Sequence, residues 1–68
     1  MGGIVMAWLA VDRDGGECIY QFRPKRGNYQ FIPLYAYNMW LALPNGSIKR
    51  LIGRDLTWED EPVELKEE

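Results

Sequence analysis

Two apolar runs separated by Asp12-Arg13-Asp14-Gly15-Gly16 constrain this chain more than anything else in it. Asp-Gly between apolar segments is a strong short-range hairpin signal, because glycine reaches the backbone angles that a tight reversal needs. The run before it, residues 4–11, is rich in β-branched and aromatic side chains and too short for a stable helix. It reads as a buried strand. The run after it, residues 17–23, alternates, with Cys18, Tyr20 and Phe22 on one face and Glu17, Gln21 and Arg23 on the other. Ile19 interrupts the polar face, as a half-covered antiparallel strand allows.

A second turn is expected at Pro24-Lys25-Arg26-Gly27-Asn28. Residues 29–43 then hold Tyr29, Phe31, Tyr35, Tyr37 and Trp40. Pro33 cannot donate to a sheet ladder, so this stretch divides into strands at 29–32 and 39–43 around an irregular connection at 34–38. Pro44-Asn45-Gly46-Ser47 breaks the second of these and opens a short helix with Ser47 as N-cap. Ile48, Leu51 and Ile52 fall on one helical face. Gly53 occupies the position where a helix-ending glycine belongs. Two turns of helix do not stand alone in water, so this one must plug one end of a sheet. A short strand is expected at 55–58 and a turn at Glu59-Asp60-Glu61-Pro62. Val63 and Leu65 alternate with Glu64 and Lys66 as an edge strand would, with fraying beyond. The fold class is therefore mainly β: a small curved antiparallel sheet of two hairpins, one short helix, and an acidic C-terminal tail. A single domain spans 1–65, and 66–68 form the frayed acidic terminus.

At 68 residues the chain has a thin margin of stability, roughly 3–10 kcal/mol. Small domains usually gain support from disulfides, a metal or a subunit partner. One cysteine permits no internal disulfide, and with no histidine there is no structural zinc site. A homo-oligomer is the remaining route, favoured by nine aromatic residues. The lone thiol and the uncharged flank of residues 1–3 point to a cytoplasmic protein without a secretory leader. The run at 4–11 is too short to span a bilayer. The formal net charge is −2, which argues against binding extended nucleic acid. Its distribution is uneven. Residues 1–54 carry seven basic groups against three acidic ones, while residues 55–68 carry seven acidic groups against one basic.

Much chemistry is excluded. Without histidine, nucleophilic serine or cysteine loses its usual base, and Cys18 reads as a small core residue. The Asp12-Arg13-Asp14-Gly15 run lacks the later ligands of a calcium loop, and no glycine-rich phosphate loop is present. The chain is expected to be no enzyme and to need no cofactor or metal.

Three features carry functional candidates. The helix start at Ser47, with Lys49 and Arg50 beside it and Arg54 beyond, has the composition of an anion cradle. A plain cap with solvated charges is its structural alternative. Arg23, Lys25 and Arg26 next to Tyr29 combine cations with a stacking ring, as a compact nucleotide site would, or as a solvated turn would. Tyr35, Tyr37, Trp40 and Trp58 are interface candidates, since tyrosine and tryptophan suit half-wet surfaces. Of the tryptophans, Trp8 and Trp40 are expected in the core, and Trp58 is the best candidate for a partner-facing anchor, with core packing as its equal alternative.

Met6-Ala7-Trp8-Leu9-Ala10-Val11-Asp12 with Asp14-Gly15, Leu43-Pro44-Asn45-Gly46-Ser47-Ile48-Lys49, and Leu51-Ile52-Gly53-Arg54-Asp55-Leu56-Thr57-Trp58-Glu59-Asp60-Glu61-Pro62-Val63 resemble small uncharacterised proteins of gut bacteria and their phages. The resemblance covers both ends of the chain and departs most in the aromatic middle. Its members open at the position of Met6, which implies that residues 1–5 are an alternative start or an addition. No site residues carry over. A phage origin would imply a protein that binds a host factor or signal. The expectation is a non-enzymatic binding module, phage- or prophage-encoded, that blocks a host protein as an anti-defence inhibitor. The alternatives are an oligomeric sponge for a small anionic ligand such as a signalling nucleotide, and a phage structural or assembly protein.

Overall fold

The computed structural model describes residues 6–66. Its strands are β1 (Met6–Val11), β2 (Glu17–Tyr20), β3 (Lys25–Arg26), β4 (Phe31–Ile32), β5 (Trp40–Leu43) and β6 (Val63–Lys66), with one helix, α1 (Ser47–Ile52). The architecture is mainly β, and both sheets are antiparallel. The larger sheet has the order β5-β2-β1-β6, and β3 and β4 form a separate ribbon.

The expected hairpin joins β1 to β2, with Val11 opposite Glu17. Its tip is closed by the Asp12 N–H on the Gly16 carbonyl at 2.8 Å and by the Gly16 N–H on Asp14 Oδ1 at 2.9 Å. Alternation along β1 then sends side chains to two opposite faces. Leu9 and Val11 go to one, where Ile48 of α1 and Leu56 cover them, with Ile19, Leu43, Ile52, Val63 and Leu65 around the edge. Ala10 goes to the other with Cys18 and Tyr20, beneath Phe31 of the ribbon and flanked by Trp8 and Trp58. The central sheet is thus clad on one side by a helix and on the other by a two-stranded ribbon.

Several local expectations are corrected. β2 ends at Tyr20, short of Arg23, and the strand expected at 29–32 shrinks to Phe31–Ile32. Lys25 and Arg26, expected in a turn, are paired with Ile32 and Phe31. Gly27 makes this reversal possible, since a Cβ there would lie 2.6 Å from the Gln30 carbonyl oxygen. No strand forms at 55–58; a turn follows at 57–60, in which Asp60 Oδ2 accepts the Thr57 N–H at 2.8 Å and the Asp60 N–H returns to the Thr57 carbonyl at 3.0 Å. A local carboxylate wins over β-propensity here. Leu51 lies on the exposed side of α1 and Ile48 alone is fully covered. Gly53 ends the helix as expected, at φ 79° with its N–H on the Lys49 carbonyl. Lys66 closes β6, and residues 67–68 of the acidic terminus lie outside the described residues, as do residues 4–5 of the first run.

Candidate binding surface

The basic candidates are mostly engaged within the chain. Ser47 is not the N-cap. That position is Gly46, and the Ser47 hydroxyl donates to the Pro44 carbonyl at 2.6 Å. Glu17 performs the capping from β2. Its carboxylate oxygens accept the Gly46 N–H at 2.7 Å and the Ile48 N–H at 2.8 Å. The expected anion cradle therefore already holds a carboxylate belonging to the chain. No acidic residue lies in the helix's own first turn, so Glu17 supplies the negative charge that a helix start favours. Replacing Glu17 with alanine is expected to lower stability by about 1–2 kcal/mol, with Glu17→Gln intermediate because one acceptor remains. Urea unfolding midpoints of the three proteins check this order.

Around α1, Lys49 approaches Asp55 at 3.9 Å. Arg50 and Arg54 are exposed and form no ion pair among the described residues. On the ribbon side, Arg23 and Arg26 both reach Glu61, at 3.2 and 3.5 Å. Arg26 does more. Its guanidinium donates to the carbonyls of Trp58 and Asp60 and lies 4.7 Å from the Phe31 ring centroid and 4.5 Å from that of Trp58. It is a strut tying the segment before β6 to the ribbon. Lys25 is exposed. Tyr29 lies apart from this group, with Arg13 at 5.4 Å over its ring. Lys49 and Arg50 line one open groove with Glu17, Gly46 and Asp55, while Arg23, Lys25 and Arg26 line another with Phe31, Leu34 and Glu61. The two grooves share no residue, so these cations do not converge on one cavity.

The aromatic candidates divide differently from expectation. Trp58, for which a partner-facing anchor and core packing are equal alternatives in the sequence, is half-buried, edge-on to Phe31 at 5.2 Å and capped by Arg26. Trp40, expected in the core and also named as an interface candidate, is 50% exposed because β5 is the sheet edge, and it stacks on Tyr20 at 6.1 Å. Tyr35 and Tyr37 form a stacked pair with centroids 5.2 Å apart and planes 2° from parallel. Tyr37 also meets Phe22 edge-on at 5.6 Å. Tyr37 is 65% and Tyr35 47% exposed.

Asn38, which the sequence reading passed over as part of an irregular connection, holds this arrangement. It is buried, and its side-chain amide forms two hydrogen bonds with one residue. Its Oδ1 accepts the Phe22 N–H and its Nδ2 donates to the Phe22 carbonyl, both at 3.0 Å. The amide acts as an extra backbone rung just beyond the Gln21 N–H to Met39 carbonyl bond at 2.9 Å. A buried asparagine among exposed aromatics has no periodic signature that could have marked it.

Asp12 joins the hairpin to the ribbon by accepting the Phe31 N–H at 2.9 Å. Burial pushes its carboxyl above the usual 3.8, against the stabilising Phe31 bond and with help from Asp14. The folded state therefore holds the proton more tightly than the unfolded state, so this group's contribution to stability falls as pH rises through its folded titration. NMR titration of the Asp12 carboxyl carbon should give a midpoint above 3.8. Burial likewise raises the Cys18 thiol, which sits in the core as expected. It also raises the Tyr20 phenol, whose hydroxyl donates to the Phe31 carbonyl at 3.2 Å.

Among the described residues no group of three or more cysteine, aspartate or glutamate side chains is placed to hold a metal ion, and no helix is long and apolar enough to cross a membrane. Comparison with family models, curated proteins and solved structures finds no match to this chain.

Proposed function

We propose that the chain is a non-enzymatic binding module that recognises and blocks another protein through its aromatic loop at residues 34–38. The observation that carries this reading is the Tyr35–Tyr37 stack, held against Phe22 and largely open to solvent. Tyrosine suits such a role because its ring offers wide contact area at low entropic cost and its hydroxyl stays hydrogen-bonded to water or partner. The Asn38 anchor fixes the loop in advance, which lowers the ordering cost of binding. Leu34, also exposed, extends the apolar area. The resemblance of the chain's ends to small proteins of gut bacteria and their phages favours a host protein as the partner, met in the host cytoplasm. Capture of a small anion draws less support, since Glu17 fills the helix start and Glu61 answers Arg23 and Arg26.

The test compares wild type with a Tyr35→Ser/Tyr37→Ser double variant as bait in host lysate. Both side chains are largely exposed, so the variant should stay folded, with a melting temperature lowered only by the lost ring contacts, about a few degrees. A protein retained by wild type and lost by the variant supports the reading. Identical retention by both, or none by either, overturns it. In parallel, a nucleotide that raises the melting temperature would transfer the function to anion capture.

A further inference from the structure

The two edges of the main sheet are built differently. β6 carries Glu64 and Lys66, and pairing of Ala7 with Leu65 and Leu9 with Val63 leaves the alternate positions 64 and 66 facing outward along the backbone. Charged residues on an edge are the usual guard against strand addition. β5, Trp40-Leu41-Ala42-Leu43, has no charge at all, and neither has Met39 before it. Met39 is 75% and Leu41 70% exposed. Beside them, Ala7, Ile19, Gln21 and Trp40 line a shallow apolar groove of about 260 Å³. The cluster under the helix takes in Ile19 and Leu43 of this face, while Met39 and Leu41 stay exposed.

We propose that β5 is the seam of a two-fold dimer, pairing antiparallel with β5 of a second copy so that one sheet runs through both. Hydrogen-bond parity selects the register. The Gln21 N–H bonds the Met39 carbonyl, so residues 39, 41 and 43 turn their backbone groups toward β2, while Trp40 and Ala42 turn theirs outward. Three symmetric registers are then open. Setting Trp40 opposite Trp40 brings Asn38 opposite Ala42, but the Asn38 N–H is already bonded to the Tyr35 carbonyl at 2.9 Å. Setting Ala42 opposite Ala42 brings Trp40 opposite Pro44, which has no N–H to give.

The remaining register sets Trp40 opposite Ala42, and the two-fold repeats the pair. Every outward N–H and carbonyl of these residues then finds a partner. The large indole lies beside the smallest side chain of the strand. On the helix-side face, Leu41 meets its own copy on the axis and Met39 meets Leu43, so an apolar stripe crosses the seam without a like-charge contact. Such an interface is isologous and closed, which stops at two copies because β6 is guarded. The seam leaves Tyr35 and Tyr37 outside the paired residues, so it does not depend on the recognition reading.

Sedimentation velocity from low micromolar to near-millimolar concentration tests the seam. Wild type should dimerise. Ala42→Pro removes an outward N–H without touching the β2 ladder, and Leu41→Lys places like charges on the axis. Each should weaken self-association roughly a hundredfold. In a Cys18→Ala background, Leu41→Cys should cross-link under mild oxidation, since facing non-hydrogen-bonded residues lie about 4.5 Å apart, within disulfide range. Trp40→Cys, about two residues out of register with its copy, should not. A wild-type monomer throughout would overturn the proposal. So would a dimer indifferent to Ala42→Pro, or Leu41→Cys cross-linking no faster than Trp40→Cys. A different protein taking the edge of a monomeric chain would overturn it equally.

Discussion

Phe31→Ala is expected to lower stability by about 3–5 kcal/mol, the usual cost of deleting a buried aromatic ring. The total available to a chain of this size is roughly 3–10 kcal/mol, so the variant should sit near or past the point of unfolding. The cost is high because the ring is shared by three elements. It packs on Ala10, Cys18 and Tyr20 of the main sheet. It meets Trp58 edge-on at 5.2 Å, and Arg26 lies over both rings. Its own backbone is pinned by Asp12 and by the Tyr20 hydroxyl. Removing the ring leaves Arg26 with one stacking partner and Trp58 with an open edge. The melting temperature should fall by about 12 °C or more, at about 4–8 °C per kcal/mol for a domain this small. Ile32→Ala, one residue along the same short strand but on its exposed side, should change it by about 0.5 kcal/mol or less. Equal effects at the two positions would mean that the ribbon is not a core layer.

What the sequence revealed was local. The β1–β2 hairpin announces itself because its turn residues and the alternation of Cys18 and Tyr20 lie within a few positions of each other. The C-terminal end of α1 is similarly visible, since Gly53 must reach a positive φ that other residues resist. The guarded edge at β6 follows from alternating Val63, Glu64, Leu65 and Lys66. What stayed hidden depends on partners far along the chain. Glu17 caps a helix that begins 29 or more residues later. Arg23 and Arg26 are claimed by Glu61, 38 and 35 positions on, so a basic loop that looks free in sequence is answered by the acidic segment folding back. The division of the tryptophans between core and surface stayed open for a related reason. Hydrophobicity fixes which residues seek cover, but strand order decides which receive it. Trp40 lies on the outermost strand, while Trp58 in a turn folds onto Phe31.

Asn38→Ala should lower stability by about 2–3 kcal/mol. Each of two hydrogen bonds contributes about 1 kcal/mol, and both of their partners are backbone groups of one residue that lose their mates together. Asn38→Asp separates the two bonds. It keeps an acceptor for the Phe22 N–H but sets a second carbonyl-like oxygen against the Phe22 carbonyl, where an amide N–H had been. The aspartate variant should therefore be less stable than the asparagine protein at neutral pH and recover part of the loss in acid, as the protonated carboxyl regains a donor. Amide exchange at Phe22 and ring shifts of Tyr35 and Tyr37 report the same event locally. Both should change before global unfolding, because the Asn38 rung lies beyond the last strand pair and its loss need not open β5. If instead Asn38→Ala melts within about 0.5 kcal/mol of wild type, water must satisfy the Phe22 groups as well as the amide does. The tyrosine pair would then be held by ring stacking alone. A loop held that way would pay its ordering cost at each encounter, and the double-tyrosine variant would lose little by comparison. The rigidity of the tyrosine loop thus stands on one buried amide rather than on the rings that it displays.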